Sequence, residues 1–447
     1  MAICHDAGLV SSHPRTAMPA DPLSHGLWAA SAPAGPDAPP LQGHRAVDVA
    51  IVGAGYTGLS AALHLAEGGA SALVLEAMDI GFGGSGRNVG LVNAGMWVMP
   101  SALPAELGAV HGERLLDRLG NGPSVVFDLI QRHGIACEAS RPGTLHCAVG
   151  AGGLRDLAER ARQWQARGAP VELLDAATAT QLTGSKAFTG ALLDRRAGTI
   201  QPLAYARGLA HAAQAAGAAL HARSSVVALQ DAGTHWRLTT AQGATVDARW
   251  VLVATNAYSA PDGLWPVLDG ELVHLPYFNL ATRPLTPRER EQVLPQGHGA
   301  WDTRQVLSSF RLDAAGRMVF GSIGALQGAG RALHRDWGRR AMGRLFPALR
   351  GIELEHAWYG RIGMTPNALP RLHRLARNTW SFSGYNGRGI SPGTVFGREL
   401  ARLVLGQQTE ADMVLPVTEP QRVPLRSLRE AGYEIGARAV HLTDARW

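Results

Sequence analysis

The sequence predicts an α/β fold, α+β in part, whose first domain is Rossmann-like. Three observations predict it. An early glycine-patterned turn joins an apolar strand to a helix and a second strand. A later buried strand ends in small residues, where it would return beside the first. The length of 447 residues suits about three domain-sized units, or two with one interrupted by the other.

Composition narrows the chemistry. Hydrophobic residues make up 46% and charged residues 17%, the balance of an ordinary soluble globular enzyme. The net charge of +6 is spread thinly and carried almost wholly by arginine. Arg371, Arg374 and Arg377 read as a solvated face, so no nucleic-acid partner is expected. Lys186 is the single lysine. A pyridoxal enzyme needs a Schiff-base lysine, and that one position argues against this chemistry. The cysteines at 4, 137 and 147 exclude a disulfide framework and a Cys-rich zinc module. No HExxH, CxxC or GxSxG occurs, which disfavours zincin, thiol-redox and serine-hydrolase chemistry. No metal site is expected. No apolar run reaches the length of a membrane span.

Residues 1–46 are rich in Pro, Ala and His and read as an N-terminal arm, with Leu27 and Trp28 as its anchor. They lack a secretory pattern, and the expected location is cytoplasmic. The apolar run Val47–Val52 is the first strand. Gly53-Ala54-Gly55-Tyr56-Thr57-Gly58 follows, then Leu59, Ala62, Leu63 and Ala66 at helical spacing. Gly68-Gly69 ends the helix, and Ala72–Leu75 is a second strand ending in Glu76. This is a dinucleotide fingerprint in its proper context. Gly53 allows the turn, Gly55 lets the backbone approach a pyrophosphate, and Gly58 lets helix and strand pack. The helix N-terminus, with Tyr56 and Thr57, offers N–H groups to the phosphates. Glu76 is placed to accept ribose hydroxyls, and it disfavours a 2′-phosphate. FAD and NAD both remain open at this point.

The next segment, 81–90, is glycine-dense where a simple NAD fold would run into a helix. Such a loop suits close passage of main chain along a flat ring. Its candidate cofactor contacts are Gly84, Ser85, Gly86, Arg87, Asn88 and Gly90. Short strands are expected at Val226–Gln230, His235–Thr240 and Ala244–Asp247, with Val226 a further candidate contact. A buried strand over 249–257 carries the candidate Thr255. A second glycine-rich loop holds Gly384, Gly387, Arg388, Gly389 and Ile390. The helix expected after it, from about Val395 to Leu405, would aim a positive end at an anionic ring edge.

Taken together, the segments 48–69, 83–95, 200–218, 250–259, 358–372 and 382–394 resemble the FAD-dependent D-amino-acid oxidase and glycine oxidase superfamily. The likeness is greatest to its gamma-glutamylputrescine oxidase branch and runs over roughly residues 23–405. It implies noncovalent FAD and two interleaved domains. One is a Rossmann-like FAD-binding domain at 47–105, 195–275 and 355–447. The other is a substrate-binding cover domain at 106–194 and 276–354, on a mixed, largely antiparallel sheet. Helices near 107–134 and 153–168 are assigned to the cover. The implied reaction oxidises a primary or secondary amine, polyamine-derived or an amino acid. Hydride passes to flavin N5, the imine hydrolyses, and O2 or another acceptor reoxidises the flavin.

Two departures from the family pattern stand out. Val89 replaces a usual Gly. In Trp358-Tyr359-Gly360-Arg361-Ile362, Ile362 stands where amino-acid-oxidising members often carry a carboxylate-gripping Arg. Arg361 is one place earlier, and one residue on a strand reverses the face. That favours an amine, or a carboxylate held elsewhere. Tyr258, His274 and Arg361 are the candidate catalytic residues, although the flavin itself carries the chemistry. Tyr277, Phe278 and Trp301 are candidate aromatic lining, with each alone read as core. Arg304 and Arg311 read as surface residues. A dehydrogenase passing electrons to a quinone or carrier, a flavin-binding subunit that needs a partner, and an NAD-dependent dehydrogenase are the competing readings. The sequence leaves substrate and oligomeric state open.

Overall fold

A computed structural model describes residues 25–260 and 263–444. Two eight-stranded sheets organise it. In the first, His44–Val52 is central, flanked in parallel by Ala72–Leu75 and Thr245–Val253. The apolar runs at both strands suit burial on two faces: Val49, Ala50, Ile51, Val251, Leu252 and Val253 are all buried. Ala219–His221 extends one edge, and Thr379–Ser383 with Arg371–Ala376 the other. The hairpin Val226–Asp231 and Trp236–Thr240 adds antiparallel pairs. The strands expected at 244–247 and 249–257 are one continuous strand, and Asn256–Tyr258 turns out of it as a 3-10 turn. Thr245–Val253 does return beside the first strand.

The second sheet runs, by position, 354–364, 273–284, 317–323, 308–312, 299–302, 144–148, 190–194 and 171–174. Its pairs are antiparallel except that of 299–302 with 144–148, a mixed and largely antiparallel sheet. Leu354–Met364 pairs along Val273–Pro284 here. Residues 273–275 and 355–364, expected with the cofactor domain, therefore belong to this sheet. Strand alternation alone names no partner strand.

The helices near 107–134 are also placed differently. They are Ala102–Gly120, kinked at Gly108, and Gly122–Arg132. Both pack against Ile390–Val404 of the first sheet's side, where Arg118 reaches the buried Glu399 at 3.5 Å. The apolar stripe predicted a buried face but not which sheet it met. Gly150–Gln165, near the expected 153–168, does pack on the second sheet.

Residues 1–24 of the expected arm lie outside the described residues. From residue 25 the anchor holds: Leu27–Ser31 is a short helix with Leu27 and Trp28 buried. The Trp28 indole donates to the Asn88 carbonyl at 2.9 Å and packs edge-on against Trp358. Arg311 is no surface residue. It is 2% exposed and donates to the Ile200 and Leu312 carbonyls. Burial pushes its guanidinium down to about 10.

The chain ends by crossing back. Helix Arg426–Thr443, expected on the cofactor side, lies on the second sheet. Arg426 pairs with Asp269 at 2.5 Å. At the far end Asp444 binds Arg304 and Arg344 at 3.0 Å. His441 stacks on Trp337 and meets His334, Nδ1 to Nδ1, at 2.8 Å. Burial, and then His334, push the His441 imidazole from 6.5 down to about 3. This group binds its proton more weakly folded than unfolded. Its contribution to stability is complete above about pH 6.5 and is lost as pH falls toward 3. The thermal midpoint should therefore fall on acidification below pH 6.5, at up to about 1.4 kcal/mol per pH unit from this group. His441→Gln should flatten that slope in calorimetry; an unchanged slope would show that His441 does not contribute to it. Among the described residues no helix is long and apolar enough to cross a membrane.

Candidate functional site

A cavity of ≈ 1210 Å³ runs between the two sheets, above the 300–1,000 Å³ of a pocket for one drug-sized ligand. The first strand–turn–helix unit builds one end. Gly53 has φ 108°, which a side chain would oppose. A Cβ on Gly55 would lie 2.9 Å from Ser85 Oγ, and one on Gly58 would overlap the Gly53 carbonyl oxygen. Helix Tyr56–Glu67 thus starts hard against the strand; Tyr56 N donates to Ser85 Oγ at 3.0 Å, and Tyr56 and Thr57 line the cavity. Glu76 lines the same end. Its Oε2 accepts from Ala54 N at 2.8 Å and its Oε1 from Met78 N at 2.9 Å. Burial raises its pKa, while each oxygen keeps a lone pair for a ligand hydroxyl. Val226 and Thr255 line this region too.

The glycine-dense loop folds as a 3-10 turn at Gly84–Gly86. Tyr56 and Asn88 fix it from within. The Tyr56 hydroxyl donates to the Ser85 carbonyl at 2.5 Å, and Asn88 Nδ2 donates to the Gly84 carbonyl at 3.0 Å. Asn88 Oδ1 accepts from Gly90 N at 2.8 Å. These two side chains shape the loop and leave its main chain toward the cavity. Gly86 and Gly90 lie behind it, where a Cβ would strike the Gly81 and Ile200 carbonyls. Arg87 is 8% exposed and lines the cavity, its guanidinium 4.4 Å above the Phe82 ring. Its Nε and Nη2 are buried with no hydrogen-bond partner among the described residues. A buried unpaired cation of this kind calls for a ligand acceptor.

At the second loop the helix begins at Ile390, five residues before the expected start, with Pro392 in its first turn where the ring costs no hydrogen bond. Gly387, Gly389 and Ile390 line the cavity. Gly384 and Arg388 do not. Gly384 N donates to Asn256 Oδ1 at 2.9 Å. The Arg388 side chain turns away, donates to the Ala94 carbonyl at 2.9 Å and stacks on Trp97 and Trp301. Burial, and then Arg160, push it down to about 9. It supports two aromatic walls rather than touching the cavity itself.

The second sheet forms the opposite wall with Leu275, Tyr277, Trp301 and Ser309, joined by Leu307 from the loop before Ser308. Tyr277 and Ser309 share a hydrogen bond of 2.6 Å. Phe278 points to the other face and is core. Ile362 pairs with Leu275 and its Cδ1 lies 3.4 Å from a Cβ built on Gly387. Arg361, next before it, has its guanidinium 4.9 Å from the Tyr258 ring, and its N–H donates to the Tyr258 hydroxyl at 2.9 Å. Tyr258 and Arg361 line the cavity, whereas His274 does not. His274 accepts from Arg426 at 3.0 Å and lies 3.6 Å from Asp269, within the anchor of the C-terminal helix. Burial and the nearby Arg361 push it down to about 4.

Sequence reasoning missed Asn93, Trp97, Leu275 and the C-terminal Gly432, Tyr433, Gly436 and Val440, all on the wall. Only Asn93 falls in a segment that carried the resemblance, 83–95, and no local motif marks the others. Among the described lining residues Glu76 is the one carboxylate, and none is His, Lys or Cys. No cluster of metal-ligating side chains occurs among the described residues.

The residues fit FAD. The glycine cradle that a Cβ would fill, the Glu76 acceptor, the orphaned Arg87 donors and the size of the cavity all match an extended anionic dinucleotide. Comparison with known proteins agrees. The family model described as "FAD dependent oxidoreductase" matches residues 48–403. Gamma-glutamylputrescine oxidoreductase of Escherichia coli K12 is 33% identical over 403 residues, 87% of this chain and 92% of that protein. A probable oxidoreductase, OrdL, of Rhizobium meliloti is 30% identical over 89% of this chain and 93% of its own. The fold is shared with glycine oxidase from Geobacillus kaustophilus at a TM-score of 0.66, with 23% identity over 82% of this chain and 96% of that one.

Proposed function

Because this chain belongs to the DAO family of FAD-dependent oxidoreductases, we propose that it oxidises an amine at the carbon bearing the nitrogen. The observation that carries this reading is the single cavity that joins a dinucleotide cradle on one sheet to an aromatic wall on the other. FAD bound there supplies a hydride acceptor, so that the amine becomes an imine and then, with water, an aldehyde or ketone.

The chain's own residues hold, orient and desolvate. The turn Gly53–Gly55 and the start of helix Tyr56–Glu67 would hold the pyrophosphate, and Glu76 would hold a ribose. Helix Ile390–Val404 would place its positive N-terminal end beside a negative edge of the ring. Tyr277, Trp301 and Leu307 shed water from the reacting carbon. Ile362 puts no guanidinium at that position, and the Arg361 guanidinium, on the same cavity wall, is stacked on Tyr258. A primary or secondary amine without an α-carboxylate is therefore the favoured substrate, and O2 the favoured acceptor.

Among the described lining residues none is His, Lys or Cys, and Glu76 stands at the dinucleotide end, so none of them is placed to take the amine proton. The neutral amine is the reacting form. kcat/KM should rise with pH, with unit slope, up to the substrate's own amine pKa, and that inflection should move when the amine is changed. An inflection fixed across amines would assign the proton to the protein instead. The reading is tested by oxygen uptake and peroxide formation with a panel of amines and amino acids. Peroxide with one class of amine supports it. Flavin reduction by amines without oxygen consumption would make the chain a dehydrogenase with another acceptor. No response from any amine would overturn it.

A further inference from the structure

The C-terminal helix Arg426–Thr443 is turned inside out. Its inward face is polar. Arg426 binds Asp269, Glu430 accepts from His274 N at 2.8 Å, Glu434 accepts from Ala325 N at 3.1 Å, and His441 is fully buried on Trp337. Its outward face is apolar. Among the described residues, the exposed large hydrophobics other than Val110 and Leu173 all lie between Leu425 and Leu442. Leu428, Ile435 and Leu442 are 67%, 66% and 46% exposed. No carboxylate of this helix is exposed, because Glu430 and Glu434 are half-buried in the inward contacts. A face of this composition calls for an apolar partner.

The spacing says what kind. Leu428, Gly432, Ile435, Ala439 and Leu442 recur at intervals of four, three, four and three, the seam of two paired helices. A lipid surface asks only for a broad apolar arc, and has no use for small residues alternating with large ones. The alternation fits a second copy of the same helix laid antiparallel. Turned about a two-fold axis between Tyr433 and Glu434, Leu428 of one copy comes level with Ala439 of the other, and Ile435 with Gly432. Each large side chain then meets a small one. Leu442 comes level with Leu425, just before the helix. The pairing is isologous, so every contact occurs twice. Arg429 and Arg438 fall on opposite flanks of the seam, so like charges do not meet. Gly432 has room for the incoming side chain, since a Cβ built there meets nothing within 4 Å. Gly432 also lines the cavity, in an exposed rim with Tyr433, Gly436 and Val440.

We propose that this helix pairs with its counterpart in a second copy of the chain, antiparallel and in that register, so that Ile435 of each copy completes the cavity rim of the other at Gly432. The proposal goes beyond the amine-oxidising reading and does not depend on it. One helix pair is smaller than a standard interface of about 20–30 residues a side, so the dimer is reversible.

Sedimentation of the holoenzyme over a range of concentrations tests the pairing. A dimer that dissociates on dilution is expected. Ile435→Glu sets an unpaired charge at two equivalent places in the seam and should weaken association about tenfold or more. Glutamate is a good helix former, so the variant should fold and keep the flavin spectrum. Cross-linking reads the register. Cys137 and Cys147 are buried, so on a Cys4→Ser background one preparation carries Leu428→Cys and another Ala439→Cys. Mixed and oxidised with copper phenanthroline, the two should form a disulfide-linked pair. Neither should bridge to itself, because its two thiols lie about 16 Å apart along the helices. A monomer at every concentration would overturn the proposal. So would bridges of each variant to itself, which would make the helices parallel, and a dimer that Ile435→Glu leaves intact, which would place the contact elsewhere. A monomer that floats with vesicles of phosphatidylcholine and phosphatidylglycerol would overturn it too, and would assign the face to a membrane surface.

Discussion

Gly58→Ala is expected to lose FAD while leaving the second sheet folded. The added Cβ would overlap the Gly53 carbonyl oxygen and lie 3.2 Å from Ile51 Cγ2. Both neighbours belong to the central strand and the turn after it, and neither is a flexible side-chain end. The helix must lift away from the strand, which costs about 1–3 kcal/mol in an overpacked interface. The lift also carries the helix N-terminus away from the place proposed for the phosphates. A loss of about 3 kcal/mol is near a hundredfold in affinity. Fluorescence titration of the apoprotein with FAD measures it. Affinity within threefold of the unaltered protein would contradict the role given to this glycine.

Glu76→Ala should have an effect of the same order for a different reason. The carboxylate accepts one backbone N–H on each oxygen, from Ala54 and Met78. Its removal strands both donors in a buried site, at about 1–3 kcal/mol each, and takes away the acceptor for a ribose hydroxyl. Glu76→Gln keeps one acceptor and sets an NH2 against the other donor, so its loss should be smaller. The expected order in FAD affinity and in thermal midpoint is Glu, then Gln, then Ala. If Gln and Ala weaken binding equally, the charge rather than the hydrogen bonds does the holding. If neither weakens it, Glu76 does not face the cofactor.

The dinucleotide end was legible because its determinants are local. Strand, glycine turn, helix and Glu76 lie within thirty residues, and the structure places them as those glycines require. The second sheet was expected only through resemblance, and its membership was mistaken at residues 273–275 and 355–364. An alternating strand states which side is apolar, not which strand lies beside it. Arg388 shows the same limit for a single side chain. Its neighbours in the glycine loop face the cavity, yet Ala94, Trp97 and Trp301 capture its guanidinium. Those partners lie far away in sequence. The rim at Gly432 and Gly436 was missed for a further reason. An isolated glycine in a helical pattern reads as a weak point until the open space beside it is seen.

One measurement tests this directly: the absorbance of the purified protein from 300 to 600 nm under anaerobic conditions as amines are added. Flavin bands, released intact as FAD on denaturation, should appear and should bleach with a primary or secondary amine. Protein without flavin bands even after FAD is supplied, or FAD that no amine bleaches, would contradict it.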